Sequence, residues 1–159
     1  MNDTKSIFSQ RELCQQRDRE FLALYSPTLD ALLQHGVPTH KARRMAAEFT
    51  ILNGRPHYHV DHERAYRCVC HLLAACDKKA SNALTYRTHA DLECMAKGRL
   101  RQQMWHEIAQ HVTQLTKEGM SVASAIDHVL EHCRASRFFI SPATALTKIC
   151  THDRTRAMR

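Results

Sequence analysis

The sequence predicts an all-α helical bundle of two pseudo-repeats, each made of a helix, a second helix, a short extended segment and a third helix. Three observations carry this. The 159 residues include only four Gly and four Pro, whereas β-sandwiches and barrels need turn residues roughly every eight to twelve positions. Apolar residues recur three or four apart, the period of a buried helical face. The two halves of the chain also align on each other, and a repeat decides the architecture before any local motif does.

The alignment begins near Arg17 and Leu100. At an offset of 83, Phe21 matches Met104, Leu22 matches Trp105, Tyr25 matches Ile108, Leu29 matches Val112, Leu32 matches Leu115 and Gly36 matches Gly119. It continues through Val37/Met120, Ala42/Ala125, Ala46/Val129 and Glu48/Glu131. After a shift to an offset of 80 it pairs Tyr58/Phe138, Val60/Ile140, Ala65/Ala145, Val69/Ile149 and Cys70/Cys150. One domain over 1–159 is therefore expected to hold copy one at 17–76, a polar linker at 77–88, copy two at 100–150 and a basic tail at 151–159.

Each element has readable punctuation. Ser9-Gln-Arg-Glu12 is a capping box that opens the first helix, and Ser26-Pro27 is expected to interrupt it. Gly36 supplies the left-handed stop, and a second helix follows from about Thr39 to Leu52, closed by Asn53-Gly54. His57 to Val60 alternates and reads as extended, after which Asp61 caps a third helix through about Cys76. Thr88-His-Ala-Asp91 begins a long helix from about His89 to Lys117. Gly119 stops it, Ser121 caps a helix to about Cys133, Arg137 to Ile140 is extended, and Ser141-Pro142 opens the last helix. The two extended segments are expected to pair with each other as a minimal two-stranded ladder, which would satisfy their backbone groups. One core is expected to gather Phe21, Leu29, Leu32, Val69, Trp105, Ile108, Val112, Leu115 and Ile149.

Composition narrows the class of function. With 43% hydrophobic and 25% charged residues the chain is globular, neither disordered nor of low complexity. No apolar run approaches the roughly 18 residues of a membrane span, and Met1 to Gln10 is polar, so neither a membrane segment nor a secretory leader is expected. Seven cysteines in no regular framework fit a reducing, cytoplasmic setting. The 23 Lys and Arg exceed the 16 Asp and Glu by a net +7, a balance that favours polyanionic partners.

The segment Leu32-Leu-Gln-His-Gly36-Val-Pro-Thr has the form of helix, Gly turn and helix used by helix-turn-helix DNA readers. Thr39, His40, Lys41, Arg43 and Arg44 would then stand near the start of the second helix, where side chains meet base edges and phosphates. Arg154 and Arg156 in the tail would hold further phosphates. The same spacing also describes an ordinary antiparallel helix hairpin, and the matching helix of copy two has no Lys or Arg in its first turns.

His57, His59 and His62 followed by Cys68, Cys70, His71 and Cys76 invite a zinc reading, since zinc takes four converging N or S ligands. Cys68 and Cys70 lie about 200° apart around a shared helix, which opposes it. His128-Val-Leu-Glu131-His132 has the order of inverted zinc peptidases, yet only Asp153 follows as a further acid. No metal ligand set, catalytic residue or cofactor is assigned.

Two pieces, Arg137-Phe-Phe-Ile-Ser141 with Ala145 and Tyr58-His-Val-Asp61 with Ala65, resemble a segment of small uncharacterised bacterial proteins. These have an Arg-Phe-aromatic-Val/Ile-Ser run and an Ala four residues on. The resemblance supports the repeat and implies no activity. The expected function is a small non-enzymatic, DNA-binding or nucleic-acid-associated protein. A helical adaptor that binds a protein or a second copy of itself is the alternative, and a zinc-supported domain is a third.

Overall fold

A computed structural model of the chain describes residues 9–79 and 98–150, the side chains of 75–79 excepted. Its elements are α1 (Gln10–Gln34), α2 (Thr39–Asn53), α3 (His62–Lys79), α4 (Arg99–Lys117), α5 (Val122–His132) and α6 (Pro142–Thr144), which runs on as a single π-helical turn (Ala145–Ile149). The fold is all-α. Among the described residues the only β pairing is one antiparallel bridge between His57 and Arg134. No helix there is long and apolar enough to cross a membrane. The expected start of the fourth helix at His89 and the basic tail lie outside the described residues.

The caps are where the local chemistry puts them. The Glu12 N–H donates to Ser9 Oγ at 3.3 Å while Ser9 N–H donates to Glu12 Oε2 at 2.7 Å, completing the capping box. Ser121 and Ser141 accept from Ser124 N–H and Thr144 N–H in the same manner. At Gly36, φ is +81°, and the Val37 N–H reaches back to the Leu32 carbonyl at 3.2 Å. At Gly119, φ is +98°, and the Met120 N–H reaches the Leu115 carbonyl at 3.1 Å. Both are the same six-to-one helix stop, built on residue pairs that the alignment of the two halves matches.

One expectation fails: Ser26-Pro27 does not break α1, which is continuous for 25 residues. Pro27 denies a partner to the Ala23 carbonyl, but Ala23 and Pro27 are both exposed, so water can take its place. On the opposite side the stripe of Phe21, Tyr25, Leu29 and Leu32 continues unbroken into the core and holds the helix together.

The core is not one cluster but two, and the chain crosses between them. Phe21, Tyr25, Ala46, Ala47 and Ile51 of the α1–α2 pair enclose Phe138, Ala145, Ile149 and Cys150 from the far end of the chain. The α4–α5 pair, with Trp105, Ile108, Val112, Ala125 and Val129, encloses Tyr58, Val60, Ala65, Cys68 and Val69. Thus α3 packs on α4 and α5, while α6 and its π turn pack on α1 and α2. Each helix pair is completed by the extended segment and third helix of the other half.

This exchange explains why the expected ladder between 57–60 and 137–140 does not form among the described residues, the one bridge joining His57 to Arg134, which lies before the second segment. The Ala135 N–H donates to the Pro56 carbonyl at 2.7 Å and the Phe138 N–H to the Ile51 carbonyl at 3.0 Å. Beyond the bridge the segments diverge, because Tyr58 and Phe138 must enter opposite clusters. The Phe138 ring meets Phe21 edge-on, at 5.3 Å between centroids and 77° between planes. It also lies over Gly54, where a Cβ would stand 2.4 Å from Phe138 Cε2 and 2.7 Å from the Thr50 carbonyl oxygen. Gly54 has an ordinary extended φ of −68°, so space alone selects glycine there.

Replacing Gly54 with Ala should therefore lower stability by about 1–3 kcal/mol, the usual cost of overpacking a filled core. Urea unfolding measures it. An unchanged midpoint would show that Phe138 does not rest on this backbone.

Candidate nucleic-acid interface

Of the seven residues that sequence reasoning nominates, five fall on the first two turns of α2. Thr39, His40, Lys41 and Arg44 are exposed there. Arg44 Nε meets Glu48 Oε1 at 3.3 Å, a surface pair that contributes about 0.3–0.5 kcal/mol. Arg43 is different: it is half-buried and lies beside the Tyr25 hydroxyl. Burial pushes that phenol up to about 12, and the nearby guanidinium works against the rise. Arg154 and Arg156 lie outside the described residues.

The helix is turned this way by its small residues. Ala42, Ala46, Ala47 and Thr50 are buried, Ala46 and Ala47 against Phe21 and Tyr25 of α1, and the Thr50 hydroxyl is satisfied by the Ala46 carbonyl at 2.8 Å. The larger Met45, Phe49 and Leu52 are left outward, with Leu52 62% exposed. The basic start of α2 thus continues into an apolar stripe on the same outer surface.

The His- and Cys-rich segment has a structural use. Glu20 on α1 accepts from the His57 N–H at 3.1 Å and from His57 Nδ1 at 2.8 Å. Glu107 on α4 accepts from Ser136 N–H at 2.8 Å and Ser136 Oγ at 2.6 Å, just before the second extended segment, and from the Tyr58 hydroxyl of the first. Neither glutamate stands out in the sequence, where each looks like one more solvated acid on a helix. Burial raises both carboxyls, but the hydrogen bonds outweigh it and hold them below the ordinary carboxylate value.

His59 carries only 7% side-chain exposure; its Nε2 comes within 3.2 Å of Glu20 Oε2 without hydrogen-bond geometry. Burial pushes this imidazole down, against the pull of Glu20. His62 pairs with Asp127 on α5, and Cys68 is buried in the α4–α5 cluster. Among the described residues no three His, Cys, Asp or Glu side chains converge as a metal site. His128 and His132 pack ring against ring, 4.8 Å between centroids, with His132 near Glu131.

A second cationic surface lies where the extended segments cross. A cleft of about 660 Å³ opens between the N-terminal half of α1, the start of α4, both extended segments and α6. Arg17, Arg99, Arg101, Arg137 and Lys148 line it, and no carboxylate does among the described residues. None of these five is among the nucleic-acid contacts expected from the sequence. Compared with family models, curated proteins and solved structures, the chain matches none.

The carboxylate clamps have a predictable acid response. Because the folded values of Glu20 and Glu107 lie below 4.5, the stability they supply is full above that pH and lost as pH falls through the folded values. His59, depressed below 6.5, adds a contribution that is full above 6.5 and is lost as pH falls through its lower folded value. The urea midpoint should drop between about pH 7.5 and pH 5, and His59→Gln should flatten that part of the curve. A His59→Gln profile as steep as wild type would refute the assignment.

Proposed function

We propose that the protein is a small non-enzymatic, nucleic-acid-associated protein that contacts duplex DNA through the start of α2. The observation that carries this reading is the exposed set Thr39, His40, Lys41 and Arg44, directly after the tight Gly36 turn and with no acid before Glu48. Lys41 and Arg44 would meet phosphates, and Thr39 and His40 would stand nearest the bases. Arg43 supports the helix against Tyr25 and contacts phosphate less directly than its neighbours. Arg154 and Arg156 would add phosphate contacts. The net +7 supplies the sequence-independent attraction.

A cytoplasmic location fits seven cysteines that follow no regular framework. An internal duplication accounts for the like stops at Gly36 and Gly119 and for the reciprocal exchange of third helices.

A second reading, a helical adaptor or homodimer, rests on the outward stripe of Met45, Phe49 and Leu52. It predicts a stable complex that Phe49→Ser and Leu52→Ser abolish, with no salt-dependent affinity for DNA.

Fluorescence anisotropy with a labelled duplex at about 50 and 200 mM salt separates the two. Lys41→Ala with Arg44→Ala should weaken binding and reduce the slope of log affinity against log salt by about 2, roughly 1 for each phosphate no longer neutralised. An unchanged slope removes α2 from the interface, and no binding at the lower salt favours the adaptor.

A further inference from the structure

We propose that the cleft at the crossing of the two extended segments is a binding site for a phosphate-bearing anion, gripped by Arg17, Arg99, Arg101, Arg137 and Lys148. This goes beyond the α2 surface, since neither Lys41 nor Arg44 lines the cleft.

Four separate parts of the chain send these cations to one place: Arg17 from α1, Arg99 and Arg101 from α4, Arg137 from the second extended segment, and Lys148 from the last turn. Converging like charges costs free energy, and a cleft lined by one sign of charge concentrates counter-ions of the other. Among the described residues only one of these cations has a carboxylate partner. Arg17 pairs with Asp18 at 3.0 Å, and Arg137 Nε donates to the Phe138 carbonyl at 3.1 Å. Arg101 is half-buried with Arg17 and Arg64 as cationic neighbours, and burial first, then these guanidiniums, press it below its ordinary value.

The opening turn of α4 adds to the same field. Gly98, at φ +91°, caps it with no side-chain hydrogen bond among the described residues, and the N–H groups of Arg99, Leu100 and Arg101, which a helix start leaves without intrahelical partners, stand at the cleft wall.

The chemistry of the walls selects the ligand. Arginine forks match phosphate oxygens in pairs, and several such groups exceed what a single monoanion can neutralise. The volume lies within the range of about 300–1,000 Å³ used for small-molecule ligands. Met104, Phe139 and Ile140 provide an apolar flank suited to the non-phosphate part of such a ligand. A free nucleoside polyphosphate and the phosphates of a nucleic-acid strand both present this chemistry.

Calorimetric titration of the full chain with sodium tripolyphosphate, ATP and a short 5′-phosphorylated single strand tests the site, at about 0.1 M salt so that weak surface attraction is screened. Tripolyphosphate should bind the wild type. Arg99→Gln with Lys148→Gln, both exposed and outside the core, should weaken it by about tenfold or more, as removal of charge-assisted hydrogen bonds does; Arg101→Gln with Arg137→Gln should weaken it further. Lys41→Ala with Arg44→Ala should leave it unchanged even where duplex binding is abolished, so the two proposals fail separately. ATP binding without strand binding assigns a free nucleotide, and a strand that displaces tripolyphosphate assigns nucleic acid. No tripolyphosphate binding, or equal binding by Arg99→Gln with Lys148→Gln, overturns the site.

Discussion

The contact of the Phe138 ring with the backbone of Gly54 is the constraint on which the rest of this molecule depends. A side chain at position 54 would occupy the ring's place, and without the ring the cluster around Phe21 and Ile51 would lose its central filler. Burying one such aromatic contributes about 1.5–3 kcal/mol, but its larger effect is topological. Anchoring Phe138 between α1 and α2 commits the second extended segment, and α6 behind it, to the first helix pair. Tyr58 makes the reciprocal commitment of α3 to the second pair, its hydroxyl held by Glu107.

From the crossing follow the features that bear on function. Each extended segment has to be supported where it leaves its own half, and Glu20 and Glu107 do this with one carboxylate apiece on a backbone N–H and a side chain. The segments diverge after the bridge from His57 to Arg134, and the gap between them is part of the cationic cleft. The start of α2 projects outward because the inner face of that helix is spent on alanines packed against α1. Lys41 and Arg44 are therefore exposed by the same packing that draws Arg43 inward.

Much of the architecture is legible from local chemistry. The Ser9 box, the glycine stops at 36 and 119, the extended pieces and the Ser141-Pro142 start all follow from residue types whose hydrogen bonding is settled within a few positions. Pro27 misleads because its cost depends on whether its side of the helix is wet, which the residue alone does not say. The exchange of third helices is not legible either. Periodicity identifies the apolar face of a helix but not the helix that will cover it. The cleft is illegible for a related reason: Arg17, Arg99, Arg137 and Lys148 stand far apart in the chain and meet only through the crossing. Glu20 and Glu107 look like ordinary surface acids, since their partners lie 37 and 29 residues away.

The crossing itself is best tested by nuclear Overhauser contacts from the ring protons of Phe138 and Tyr58 in the intact chain. Contacts from Phe138 to Gly54 and Phe21, together with contacts from Tyr58 to residues of the Trp105 cluster, are what the exchanged arrangement predicts. Contacts from Phe138 to the Trp105 cluster and from Tyr58 to Phe21 would mean that each half keeps its own third helix, and would contradict it.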